Sequence, residues 1–288
     1  VSESTMRLII SHQTNYFYEQ LALRSVQYIR MTPMTLPHQT IHNWQVMLPK
    51  VAQMQTDGFG NQWLTLSRHE PHNNLQIQAF GEVEINADTL FIPDNQQVPY
   101  QIFAVPTKLT QCSEAMRDFA HDALEQFLQS EDIDAQLAIL KSLAKDLLDK
   151  MPYTKSVTHV GTTAEQAFAM AAGVCQDHTH VFLALLRDKG IAARYVSGYI
   201  YEATQAHMAS HAWAEVLLAG NWYTFDISNQ HFTPNCHVYI AFGRDYADAA
   251  PVRGVRTGGG DERLYSQVMV STSPQYIPQL NAQFAAQQ

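Results

Sequence analysis

Residues 173–201 read GVCQDHTHVFLALLRDKGIAARYVSGYIY, and the hydrophobic period changes at Gly190. Before it, Val181, Phe182, Leu185 and Leu186 recur at helical spacing, which predicts a helix over residues 175–189 stopped by the glycine. After it, residues 191–201 are rich in β-branched and aromatic side chains and read as a strand. Residues 211–218 (HAWAEVLL) and 222–226 (WYTFD) flank Ala219-Gly220-Asn221, a tight-turn signal, so they are expected to pair as a hairpin. A helix laid on an antiparallel sheet is an α+β arrangement, and Cys175 opens the helix.

That position has chemical consequences. The helix dipole and the free backbone N–H groups of a first turn stabilise a thiolate and activate the sulfur. The Cys175 N–H is also a candidate oxyanion donor. Taken singly, a cysteine of this kind is more often a buried structural residue, and a lone histidine or aspartate says less still. The three residues together say more. His211 opens a strand, and the turn at Gly220 returns Asp226 beside it, where a carboxylate fixes the imidazole tautomer. Cys175, His211 and Asp226 are therefore the catalytic candidates: nucleophile, base and orienting acid. Tyr153, Gln176 and Trp213 are the substrate-side candidates, Tyr153 as an oxyanion donor and Trp213 as a cleft wall. Asp177 and Glu215 lie close in sequence, and a salt-bridged or solvated role is the expectation for both.

Zinc is the rival chemistry, because Cys175, His178, His180, His207 and His211 are ligand types it favours. Side chains at i and i+2 of a helix diverge, which separates His178 from His180. His207 and His211 converge only on a helix, whereas the alternation after His211 reads as strand. No dense Asp/Glu loop of the calcium-binding kind occurs. The expectation is no metal and no cofactor.

Working outward, three helices are expected: one starting at Ser113 as its N-cap, one over residues 133–150 ended by Pro152, and one over residues 163–171 capped by Thr162 or Thr163. Apolar stripes are expected at Phe119, Leu124, Phe127 and Leu128, and at Leu137, Leu140, Leu143, Leu147 and Leu148. The first hundred residues are β-rich, with strands expected at 7–18, 25–31, 44–49, 62–67 and 75–85 and a hairpin turn at Asp57-Gly58-Phe59-Gly60-Asn61. A Pro-rich stretch over residues 90–110 suggests a boundary between a β-rich domain (1–100) and a catalytic core with C-terminal strands (101–288). Gly258-Gly259-Gly260 marks a turn before a last strand at 264–270.

Composition narrows the function classes. The net charge of -9 and the lack of a Lys/Arg run argue against nucleic acid. Three widely spaced cysteines form no disulfide framework and fit a reducing compartment. No apolar run is long enough to span a bilayer and no signal-peptide layout is visible, so a cytoplasmic location is expected. Met6-Arg7-Leu8 reads like a start, and residues 1–5 are expected to be a tag remnant or an alternative upstream start. A homodimer is the default oligomeric expectation.

The chain also resembles a known family. Gly173-Val174-Cys175-Gln176-Asp177-His178, Gly190 through Tyr199, His211-Ala212-Trp213-Ala214-Glu215 and Trp222-Tyr223-Thr224-Phe225-Asp226 look like the core of the bacterial transglutaminase-like superfamily. Residues 243–254 (GRDYADAAPVRG), His12-x-Thr14-x-Tyr16-x-Tyr18, Arg30-Met31-x-Pro33 and Asp57-x-x-Gly60-Asn61 extend the likeness to the C-terminal block and the N-terminal region. Relatives often carry Pro after the acid, where this chain has Ile227. The resemblance implies a papain-like core and the order Cys, His, Asp for nucleophile, base and acid. It also implies a thioester that is passed to water (peptidase or amidase) or to an amine (glutamine cross-linking) on a peptide or protein. A non-catalytic peptide-binding module is the remaining alternative.

Overall fold

The N-terminal strand β1 (Thr5–Ile29) is one continuous strand of 25 residues in the computed structural model, which describes residues 4–202 and 210–272. The sequence suggested two strands, at 7–18 and 25–31. The chain stays extended between them because β1 changes partners there. Its first half lies between β5 (His72–Asn86) and β12 (Glu262–Ser271), and its second half between β4 (Gln62–Arg68) and β11 (Val252–Gly258). With β2 (Gln39–Met47) and β3 (Gln53–Thr56) these make a seven-stranded antiparallel sheet ordered β2-β5-β1-β4-β3, with β11 and β12 also on β1. The Gly258-Gly259-Gly260 turn has all three residues at positive φ, the region glycine enters without a Cβ penalty. A boundary near residue 100 separates strand-rich from helix-rich sequence, while this sheet draws on both ends of the chain.

Four helices follow the N-terminal strands. The Ser113 hydroxyl caps α1 (Glu114–Gln129) by accepting from the Met116 N–H, and α2 (Ile133–Lys150) stops just before Pro152. Thr163 and Gln166 form a reciprocal capping box on α3 (Ala164–Met170). Helix α4 (Cys175–Asp188) ends ahead of Gly190, whose φ is +71°. The buried stripe of α1 runs through Met116, Ala120, Leu124 and Phe127 rather than through Leu128, which is exposed.

Behind α4 stands a five-stranded sheet ordered β10-β7-β8-β9-β6, built from β6 (Ile92–Pro93), β7 (Ala193–Ile200), β8 (His211–Leu218), β9 (Asn221–Phe225) and β10 (His237–Gly243). Short helix α5 (Tyr246–Ala249) leads from it into β11. Strand β10 was not expected from the sequence; all seven of its residues are buried. One apolar core joins Leu143 and Leu147 of α2, Phe182 and Leu185 of α4, Leu8 and Val83 of the first sheet and Val268 of β12. A fully buried side chain of this size contributes roughly 1.5–3 kcal/mol, so the two sheets are coupled through α4 rather than through a linker. The fold is α+β, as expected.

The N-terminal region also seals the outer edge of β10. Gln39 bonds both backbone groups of Tyr239 (2.8 and 3.0 Å), and Asn61, at the end of the Asp57 turn, does the same for Phe242 (2.8 and 2.9 Å). Two amide side chains thus replace a missing strand, which satisfies donors and acceptors that would otherwise be orphaned.

Candidate active site

Cys175 is the first residue of α4 and is half-buried. The turn before it is set by a close approach: a Cβ on Gly173 would lie 2.6 Å from Cβ of Asp177, so only glycine fits. The Asp177 carboxylate, buried under that turn, accepts from the Val174 N–H (2.8 Å) and the Thr158 hydroxyl (2.7 Å). A carboxylate in the first turn complements the helix dipole. Asp177 therefore shapes the helix start that carries the sulfur.

His211 and Asp226 meet as the hairpin predicts. Leu218 pairs with Asn221 and Ala214 with Phe225, and the two-residue loop Ala219-Gly220 has both φ angles positive, as a type I′ turn requires. His211 Nε2 donates to Asp226 Oδ2 at 2.7 Å. This leaves Nδ1 as the ring nitrogen free to face the Cys175 thiol, which stands against the same imidazole. Both partners of the pair are buried. Burial disfavours a charged imidazole, but the Asp226 charge and hydrogen bond, helped by Cys175, outweigh it and hold His211 well above its ordinary pKa. Burial likewise opposes ionised Asp226, and the His211 charge with hydrogen bonds from His211 and His237 keeps it well below the usual carboxylate range.

Two further side chains complete the carboxylate's shell. His237 Nε2 donates to Asp226 Oδ2 at 3.1 Å, and Asn229 donates to it twice, through Nδ2 (2.9 Å to Oδ2) and its backbone N–H (3.2 Å to Oδ1). Neither residue was a sequence candidate. His237 opens β10, which no turn signal announced, and Asn229 lies in the loop after Asp226. His237 reaches the site because Gly198 lets β10 approach: a Cβ there would sit 1.9 Å from the Val238 carbonyl oxygen.

The substrate-side candidates separate. Tyr153 bridges to Gly173 through its backbone and keeps its ring half-exposed beside Cys175. Burial, followed by the charges of Cys175, Asp177 and Asp226, pushes its hydroxyl up to about 12, so the proton stays on at neutral pH. The Gln176 amide is engaged with the Val160 carbonyl at 3.1 Å. Trp213, expected to wall the cleft, is fully buried instead; it backs the histidines, 4.7 Å from His237 and stacked at 6.1 Å on His211. A strand aromatic facing the inner layer has no surface left for substrate. Glu215 is also buried. It is held by Arg194 (2.6 Å) and the Tyr239 hydroxyl (2.7 Å), with the guanidinium between Trp222 and Phe242 at 4.2 and 4.1 Å. That is a structural ion pair, whose disruption from one side typically costs about 3–5 kcal/mol.

The zinc candidates disperse. His178 bonds Ser228 and the Met151 carbonyl, whereas His180, about 200° around the helix on the other flank of α4, accepts from the Tyr246 N–H. His207 lies outside the described residues. A different trio, His211, Asp226 and His237, does converge, with one ligand atom of each within 4.8 Å of the others. The 2.7 Å separation of His211 and Asp226 is a hydrogen bond. Two donors on one tetrahedral zinc would stand about 3.3 Å apart. A metal would have to break the contact that orients the imidazole.

Known proteins share this fold. Residues 124–227 match the transglutaminase-like superfamily core, and residues 8–84 match the bacterial transglutaminase-like N-terminal region. An uncharacterized protein of Mycobacterium leprae is 26% identical over 88% of this chain and 94% of its own length. An uncharacterized protein of Mycobacterium tuberculosis is 25% identical over 87% and 88%. The crystal structure of a candidate cysteine protease from Cytophaga hutchinsonii superposes with a TM-score of 0.72 at 21% identity, covering 93% of this chain and 91% of that one, which shows a shared fold. The chain belongs to the transglutaminase-like superfamily.

Proposed function

We propose that this transglutaminase-like protein is a cysteine peptidase or amidase that cleaves an amide of a peptide or protein through a Cys175 thioester. The observation that carries the reading is the His211 imidazole, clamped at Nε2 by a buried carboxylate while its other nitrogen faces the thiol at a helix start. In that arrangement His211 takes the thiol proton, and the sulfur adds to the carbonyl carbon. The oxyanion is met by the Cys175 N–H and the protonated Tyr153 hydroxyl. His211 then returns the proton to the leaving nitrogen, the C–N bond breaks and the thioester remains. Water, deprotonated by His211, resolves it to the acid and regenerates the thiol. Asp226 keeps one tautomer and stabilises the imidazolium throughout. Transfer of the same thioester to an amine is the alternative outcome, and the two differ only in which acceptor the cleft admits.

The test is mass spectrometry of peptide libraries incubated with the wild type and with Cys175→Ala, with and without a primary amine. Shortened or deamidated peptides made only by the wild type support hydrolysis. Amine-exchanged glutamine peptides would instead make the protein a cross-linking acyltransferase. Identical libraries after both proteins would refute the reading.

A further inference from the structure

Beside the start of α4 lies a cleft of about 440 Å³, bounded by Tyr16, Val160, Tyr246, Arg253, Val255 and Leu264. It adjoins the candidate site through Gln176, the neighbour of Cys175, whose side chain bonds the Val160 carbonyl. The His180 ring of α4 likewise holds the N–H of Tyr246 at 3.1 Å, so two residues that line the cleft are anchored on α4. A second cleft of about 350 Å³, reaching Arg30 and Trp63, shares Ala247, Arg253, Gly254 and Val255 with the first. They lie on opposite faces of β11, because Gln27 and Gly254 point to one face and Tyr28 and Arg253 to the other, so they flank the strand as the two walls of one groove along it. Among the described residues, β11 pairs only with β1, so its other edge presents backbone donors and acceptors with no strand beside them. An edge of that kind is a template for an extended peptide.

The charges along the groove say what the peptide should carry. Arg30 is paired with Asp57 and Arg256 with Glu262, each at 3.3 Å. Arg253, at the junction of the two clefts, touches only the Ala247 carbonyl at 3.3 Å and has no carboxylate partner among the described residues. In a chain of net charge -9, this is an unmatched cation facing a groove.

We infer that the groove binds the substrate of the Cys175 reaction as an extended strand on the free edge of β11, with a substrate carboxylate on Arg253. The inference rests on the proposed function for its chemistry but is tested apart from it. The carboxylate belongs to a Glu or Asp side chain or to a free C-terminus, and the probes distinguish the two. The full chain carrying Cys175→Ala is titrated, by fluorescence anisotropy, with labelled Thr/Val/Ala peptides of about eight residues, long enough to span an edge strand. One contains a single Glu and its control contains Gln, each with an amidated or a free C-terminus. An exposed ion pair predicts about fivefold tighter binding of the peptide bearing the recognised carboxylate, lost in Arg253→Gln. Hydrogen exchange over residues 252–257 is expected to slow on binding. Equal affinity of acidic and neutral peptides, or a preference that survives Arg253→Gln, would overturn the recognition. Unchanged exchange in β11 would overturn the strand addition. Iodoacetamide labelling of Cys175 in the unsubstituted chain separates the two readings. A reactive thiol there, with no peptide discrimination by Cys175→Ala, sinks the groove alone, and an inert thiol with discriminating binding sinks the chemistry alone.

Discussion

Acidification should unfold this protein well above the pH at which carboxylates titrate, because its buried histidines are neutral. Burial lowers His12 to about 4; it lowers His38 to about 4, with help from His237, and His180 to about 3, with help from Arg187. In the unfolded chain each titrates near about 6.5. Between those values the unfolded state binds up to three more protons, so stability rises with pH and is complete only above about 6.5. Each histidine contributes about 1.4 kcal/mol per pH unit, and the three together about 4. Falling from about pH 6 to 4.5 therefore removes roughly 6 kcal/mol, comparable to the total stability of an ordinary domain. His211 adds no slope in this window. Its pKa is raised, so its contribution is full below 6.5 and is lost only as pH rises toward the folded value. Asp226, held low, loses its contribution only below the ordinary carboxylate range. Urea midpoints followed by tryptophan fluorescence should thus drop steeply from about pH 6 to 4.5 at constant m. His38 is the clean control, since neither ring nitrogen has a hydrogen-bond partner, and His38→Leu should flatten the slope by about a third. Midpoints that coincide from pH 7 to 5, or a slope untouched by His38→Leu, would refute the reasoning.

Three other outcomes follow from named contacts. His237→Leu should cost about 1–3 kcal/mol in urea unfolding by leaving an Asp226 acceptor site unpaired, and His237→Gln should recover part of it. Gly173→Ala forces a Cβ to within 2.6 Å of Asp177 and should cost about 1–3 kcal/mol while slowing Cys175 alkylation. Tyr153→Phe should lower kcat by about 10²–10³-fold if its hydroxyl meets the oxyanion, yet leave iodoacetamide labelling unchanged, because alkylation develops no oxyanion.

The fold was legible where local periodicity and turn chemistry agreed. Gly190 and the Ala219-Gly220 loop delimit α4 and the β8–β9 hairpin, which places His211 and Asp226 in contact before any tertiary argument is needed. It was not legible where neighbours decide. Residues 19–24 carry no strand signal and are extended because β1 exchanges partners there. Strand β10 is buried on both faces, so it lacks the alternation that marks a half-exposed strand. His237 came with it and stayed hidden for the same reason. Trp213 looked like a cleft wall because sequence does not say which face of β8 meets solvent. Arg253 sits in a segment with two glycines and no clear period, and only the strand's pairing with β1 shows that one edge is bare.

Selective alkylation tests the central claim most directly. Burial raises the Cys112 thiol to about 11 and the Cys236 thiol to about 12, so both should be inert near neutrality, while Cys175 is half-buried against His211. The account predicts that iodoacetamide at pH 6–7 adds one label, at Cys175 by peptide mapping, and that His211→Ala slows it at least about tenfold. Labelling spread evenly over the three cysteines, or a Cys175 rate indifferent to His211→Ala, would contradict it.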